Sequence, residues 1–449
     1  MLASKNKKKF IGFILLTGLI IILTLNLFFI QSFLVGIALV IGLLLIMIFF
    51  YNPKIGLLLF LIIRPLVDNQ GEIVNIPIFV NNLTINLSAL LGILFISLTS
   101  LFLLKKGKQL KYKNWVVFSW LLFILLSIFS IFYSIDKFAS FYEIIRIISI
   151  FLFFLTTLII VKTEKDINLF INAILISALI PFVIAIFQLI TGNGMAGTSV
   201  GLDSRLYGTF SHPNQFASYA LIAFGLSWFG YQKKTADKKY LIAFLVSLLA
   251  LIATFSRGAW LGLILLSLII GIFKNFKMIL ILFLFLVILF FSSETVHKRI
   301  EDIYNPPATS SIYWRIERWT DNYQSFIKKP LLGHGSGTEL KVYENDYGFY
   351  SNNAYTHNDL LKNAIELGVV GSLLYLILIL TTTSTLLKNY FKSKESSVKI
   401  FTLVVLAIFI AEFIFSMTSN IFRGTATQWT LWSLVGACLA LNLKRKTLH

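Results

Sequence analysis

Long apolar runs separated by short polar connections fill almost the whole chain. They lie near 10–30, 33–51, 54–67, 84–104, 115–134, 142–161, 168–190, 213–230, 240–255, 258–273, 277–292, 358–387, 398–418 and 425–443. Most approach the roughly 20 residues that a helix needs to cross a bilayer. The pattern predicts an all-α polytopic membrane protein of about 14 transmembrane helices (12–14). The run at 54–67 is short and carries Arg64, yet removing it would reverse the sidedness of everything that follows. One polar stretch of about 65 residues, Ser293 to His357, interrupts the pattern. The chain therefore divides into N-terminal transmembrane helices (1–190), helices with Arg-bearing outer loops (191–292), a large extracytoplasmic loop (293–357) and C-terminal transmembrane helices (358–449).

Composition narrows the class. The chain is 57% hydrophobic with 43 Phe, which excludes a soluble globular protein. Lys5 to Lys9 followed by Phe10–Ile30 looks like a signal peptide, but the apolar run is too long and is expected to be an uncleaved anchor. The single Cys438 has no partner for a disulfide and no neighbouring His in sequence, and reads as core filler.

The formal charge of +19 suggests nucleic acid only until its placement is considered. With the N-terminus in the cytoplasm, most Lys fall in connections on that side, including Lys105–Lys113, Lys388–Lys399 and the tail from Lys444. This is the positive-inside pattern, and no nucleic acid is needed to explain it. Both termini are expected in the cytoplasm. Arg partitions differently. Eight of the nine, Arg64, Arg146, Arg205, Arg257, Arg299, Arg315, Arg318 and Arg423, fall on the outer side or at outer ends of helices. Guanidinium is a planar, permanent cation suited to bidentate contacts with phosphate. Some of these Arg can pair locally, as Glu143 and Arg146 would at i,i+3. The cytoplasmic connections are too short to fold a nucleotide-binding domain.

Three outer motifs carry candidate chemistry. The first is Arg205-Leu206-Tyr207-Gly208-Thr209-Phe210-Ser211-His212-Pro213-Asn214, where Arg205 is an anion-binding candidate. Here His212 and Asn214 are weaker binding candidates, and the plainer reading of His212 is a cap on a Pro-initiated helix. The second is Ser256-Arg257-Gly258-Ala259, with Ser256 as N-cap and Arg257 at a helix start. Cationic Arg is unfavourable at that end of the dipole, so an anion is expected there. The third is the long loop: Arg315 and Arg318 on an amphipathic helix, a Gly-rich turn around His334, and Tyr355-Thr356-His357-Asn358-Asp359. Thr356 is read as the N-cap, with Asp359 three residues on. That puts His357 in the first helical turn, where the dipole keeps imidazole neutral, as a general base must be. His334 and Tyr355 are weaker binding candidates. No metal-ligand spacing, serine-hydrolase elbow or facing carboxylate pair is evident, and neither metal nor cofactor is expected.

At these motifs the sequence resembles the O-antigen ligase / Wzy-type polymerase family of bacterial membrane glycosyltransferases. The resemblance rests on Arg205-Leu206-Tyr207-Gly208 with His212-Pro213-Asn214, Ser256-Arg257-Gly258-Ala259, Leu332-Gly333-His334-Gly335-Ser336, and His357-Asn358 with Gly368-Val369-Val370-Gly371. It implies a GT-C-like helical enzyme in the bacterial cytoplasmic (inner) membrane with an extracytoplasmic active site. Such an enzyme takes glycan from an undecaprenyl-diphosphate-linked oligosaccharide and passes it to a glycan or lipid acceptor hydroxyl. It further implies His357 as base and Arg205, Arg257 and Arg315 or Arg318 at the diphosphate. A polysaccharide polymerase is the first expectation, with a ligase acting on a lipid, wall or protein acceptor as the alternative. A flippase and a chain-length regulator are candidate partners. A lipid-linked oligosaccharide flippase or transporter is the rival of another class, and it would place ionisable groups at mid-membrane.

Overall fold

The computed structural model describes residues 18, 33–68, 75–77, 84–107, 114–195, 205–232, 237–292, 297, 300–301, 303–306, 310–348 and 355–445. The apolar run at 10–30, apart from Gly18, and Arg299 lie outside the described residues. Helices occupy every later run: α1 (Phe33–Tyr51), α2 (Pro53–Ile63), α3 (Leu87–Lys106), α4 (Trp115–Phe129), α5 (Lys137–Ile160), α6 (Glu164–Thr191), α7 (Pro213–Gln232), α8 (Lys238–Ala253), α9 (Arg257–Phe273) and α10 (Lys277–Ser292). The polar stretch holds α11 (Ser311–Lys328) and α12 (Glu339–Tyr347). The chain closes with α13 (Asp359–Lys392), α14 (Ser396–Ser416) and α15 (Thr425–Arg445). A short antiparallel hairpin, β1 (Asn75–Pro77) and β2 (Thr84–Asn86), lies between α2 and α3 of this helical fold. Among the described residues, six helices are long and apolar enough to span a bilayer, fewer than the fourteen crossings drawn from the sequence.

The fold is a helical, multi-pass membrane architecture. Its helix starts are set locally: Asn52, Asn86, Asn114, Asp136 and Ser310 each accept a first-turn N–H through the side chain. Helices α7, α14 and α15 form the centre, with α15 buried without a break from Ala426 to Leu441. Although it carries Thr427, Gln428, Thr430 and Ser433, this helix is enclosed on every side and is the axis that α5, α6, α7 and α14 pack around.

The long α13 is not continuous. Gly368 sits at φ 68°, and the helix breaks there. The break frees backbone groups, and the Gly-rich turn takes them. The N–H groups of Val369 and Val370 donate to the carbonyls of Pro330 and Leu331, while those of His334 and Gly335 donate to Ile365 and Glu366. The large loop is thus stitched into the membrane bundle by main-chain bonds, which fixes where its ends present side chains.

Candidate active site

Three predicted arginines converge. Arg205, Arg257 and Arg315 line one cleft, together with Asn214, Ser256, Gly258, Ser311 and Thr418. Each Arg arrives on a different element. Arg205 lies just before α7 and is held by paired backbone bonds with Met195. Its Nε donates to the Thr254 carbonyl (2.8 Å) and its Nη2 to Asn214 Oδ1 (3.0 Å). Arg257 opens α9 and donates to Ser311 Oγ at 2.8 Å, tying that helix to α11. Arg315 comes from α11, where residues 315, 318, 322 and 325 share the inner face.

Ser256 is the N-cap residue of α9, as its sequence suggests, but its side chain makes no capping bond. Its Oγ donates instead to Asn214 Oδ1 at 2.9 Å. Asn214 is buried and joins four groups, since its Nδ2 also donates to Ser419 Oγ and its N–H to His212 Nδ1. Gly258 is required by close approach: a Cβ there would overlap Thr418 Oγ1. The first turn of α9 therefore abuts the end of α14.

Two histidines stand together beside these arginines. The rings of His357 and His212 have centroids 6.1 Å apart, and Trp314 meets His357 edge-on at 5.4 Å. His357 is pushed down to about 3, first by desolvation and then by Arg315, His212, Arg205 and Arg423. His212 is likewise pushed down to about 3 by desolvation, Arg205 and Arg315. Both rings are neutral near pH 7. The cause differs from the sequence expectation in one respect. The N-cap of α13 is Asn358, whose Oδ1 accepts from Leu360 and Leu361, and not Thr356. His357 therefore lies outside the helix, at φ 49°, and burial and nearby cations rather than its own helix dipole hold it neutral. Its Nδ1 is buried with no hydrogen-bond partner among the described residues. A non-glycine residue in this region costs of order 1–3 kcal/mol and persists only where its surroundings impose it.

Residues 242–376 match the family model described as O-antigen ligase. That segment, less than half of the chain, is what resembles the O-antigen ligase family. No curated protein matches the chain. The matched segment contains Arg257, Arg315, Arg318, His334 and His357, whereas Arg205 and Asn214, which line the cleft, and His212 lie upstream of it.

Other predicted residues stand elsewhere. Arg318 lies over the Tyr343 ring (4.4 Å) and the Trp314 ring (5.7 Å) and pairs with Asp321 at 3.5 Å. It packs α11 on α12 and does not line the arginine cleft. The His334 ring bonds the Ser325 carbonyl through Nε2 (3.0 Å) inside the stitched turn, away from the cleft lining. Tyr355 stacks under Arg423 at 3.9 Å. Arg64 pairs with Asp68 and Ser88, and Arg146 forks Glu143 as its i,i+3 spacing suggests. Sequence reasoning missed a second polar centre behind His357. There Lys362 bridges Glu143 and Glu366, at 2.9 Å to each, in a cavity also lined by Arg146, Asp359 and Arg423. Its cations are matched by carboxylates. Among the described residues no group of three or more His, Cys, Asp or Glu is placed to share a metal ion.

Proposed function

We propose that the ligase segment and its upstream partners transfer glycan from a polyprenyl-diphosphate carrier to an acceptor hydroxyl, with repeated transfer building a polysaccharide. The observation that carries this reading is the convergence of Arg205, Arg257 and Arg315 on one cleft beside neutral His357. A diphosphate is a good leaving group once its growing charge is met, so fixed guanidinium groups stand where an acid would otherwise be needed. His357 removes the proton of the acceptor hydroxyl as its oxygen attacks the anomeric carbon, a contribution of about 10²–10⁴-fold for a positioned base. The anomeric carbon–oxygen bond breaks, and its electron pair leaves on the diphosphate.

The extracytoplasmic placement of the site is supported by charge. Helices α7, α9 and α13 begin at the site, and the latter two end in or next to Lys274, Lys388 and Lys392. Helices α8 and α14 start back from Lys238, Lys239 and Lys399. A cytoplasmic Lys-rich end puts the arginine cleft on the opposite face. The test is purified protein in lipid with a polyprenyl-diphosphate-linked repeat unit. Wild type is expected to release carrier diphosphate and form a ladder of products, and His357→Ala to form none while retaining its thermal midpoint. A single transfer product without a ladder would favour ligation, and full activity in His357→Ala would remove the mechanism.

A further inference from the structure

The transfer reaction leaves His212 unused, although it faces the base. The ring caps α7: Nδ1 accepts the N–H of Asn214, the second residue of the helix, at 3.0 Å. A nitrogen that accepts carries no proton, so the hydrogen of the neutral ring is on Nε2. None of the hydrogen bonds of the described residues engages that Nε2. Helix capping alone accounts for only one nitrogen of the ring. The other edge belongs to a ring that lies 6.1 Å from His357, centroid to centroid, and that burial, with Arg205 and Arg315 nearby, holds neutral. Two imidazoles so spaced can serve the entering and the departing oxygen of one anomeric carbon.

We propose that His212 is a second catalytic residue, a neutral donor whose Nε2–H hydrogen-bonds the departing glycosyl-phosphate oxygen while His357 deprotonates the acceptor. The inference rests on the transfer reading above. The acceptor oxygen bonds to the anomeric carbon and its proton passes to His357. The old bond breaks toward the diphosphate, and the His212 hydrogen stays on Nε2 throughout. A neutral donor suits this position. It strengthens as charge develops on the leaving oxygen and does not surrender a proton that the arginines make unnecessary. The helix cap has a mechanical consequence as well, because the bond to Asn214 fixes the tautomer and orients the ring. Asn214 itself holds Arg205, so the donor and one cation of the cleft share a single support.

Capping and donation separate experimentally. Asn is among the best N-cap residues but is too short to present a donor where the imidazole edge lies. Gln caps poorly yet carries an amide N–H at greater reach. With a synthetic polyprenyl-diphosphate-linked oligosaccharide, His212→Asn is expected to keep the native thermal midpoint and fall roughly 100-fold or more in kcat, the scale seen when a transition-state donor is removed. His212→Gln should recover at least about tenfold of that deficit. In His212→Gln the acid limb of the kcat profile should persist, displaced at most toward higher pH because His212 is one of the groups that lower His357. Near-wild-type kcat in His212→Asn would leave His212 as a cap only and overturn the proposal. Disappearance of the acid limb would make His212 the base and overturn it too. If wild type is active and His357→Ala is not, the transfer reading stands whatever these variants do. Absence of any transfer by wild type overturns both.

Discussion

The Glu339 carboxylate accepts the backbone N–H of Thr356, the residue before His357. The Trp319 indole donates to the carbonyl of the same Thr356 at 2.7 Å. Beyond the histidine, Asn358 caps α13 and Asp359 accepts the N–H of Phe422 at 2.9 Å. The left-handed backbone of His357 is therefore held from both sides. Glu339→Leu strands a buried N–H, at a cost of about 1–3 kcal/mol, and frees His357 to relax. The expected result is a large fall in kcat with KM for the lipid-linked donor little changed, whereas Glu339→Gln keeps an acceptor and most of the rate. Equal kcat in the Leu variant and wild type would show that the clamp does not matter for chemistry.

The two arginines of α11 give a sharper test of the cleft. Arg315 lines it and Arg318 stacks between Trp314 and Tyr343. Arg315→Gln should weaken donor binding and lower kcat/KM by roughly 100-fold, the scale expected when a charged hydrogen-bond donor no longer meets the transition state. Arg318→Gln should mainly lower the thermal midpoint and leave kcat/KM within about tenfold. Steady-state kinetics on both variants decides it, and the reverse ranking would place the diphosphate elsewhere.

What can be read from sequence is local. Arg257 beside Ser256, the Pro-started α7 and the Gly-rich turn all declare themselves within a few residues. The pairing of Glu143 with Arg146 follows from helical spacing alone. What cannot be read depends on distant partners. Lys362 meets Glu143 across 219 positions, and Asn214 meets Ser419 across 205. The cap of α13 is ambiguous in sequence because Thr356 and Asn358 are both good caps, and the choice falls to Asn358 once Thr356 is clamped by Glu339 and Trp319. The apolar run from 358 onward hides the break at Gly368, since periodicity does not register a single non-helical residue whose freed groups find partners in a loop.

The depressed histidines set a pH dependence of definite sign. In the free protein, His357 and His212 are both neutral well below their ordinary pH near 6.5, down to about 3. Depletion of the base form on acidification should therefore be almost absent from kcat/KM at mildly acidic pH, because that parameter reports the free enzyme. Binding of an anionic diphosphate offsets Arg205 and Arg315, two of the cations that lower His357, so in the complex the imidazole is easier to protonate. The acid limb of kcat should accordingly fall at higher pH than that of kcat/KM. Paired pH profiles under saturating and limiting donor measure the difference. Coincident limbs would mean that the arginines do not sense the diphosphate.

Gly368 couples the loop to the bundle, and its replacement tests that coupling. A Cβ at this position would overlap the Leu331 carbonyl oxygen, on a backbone at φ 68° that an L side chain rarely adopts. The strain alone is about 1–3 kcal/mol. It also falls on the main-chain bonds that Val369 and Val370 make to Pro330 and Leu331. Gly368→Ala should lower the thermal midpoint and expose the turn around Leu331–Gly337 to limited proteolysis. Activity should fall with it, because α12, which carries Glu339, hangs from that turn and holds the segment bearing His357. By contrast Gly92→Ala, on α3, where a Cβ meets nothing within 4 Å, should change none of these. If Gly368→Ala leaves the protease pattern and the rate as they were, the stitched turn does not position the base, and the support of His357 must come from α11 and from the connection between α14 and α15.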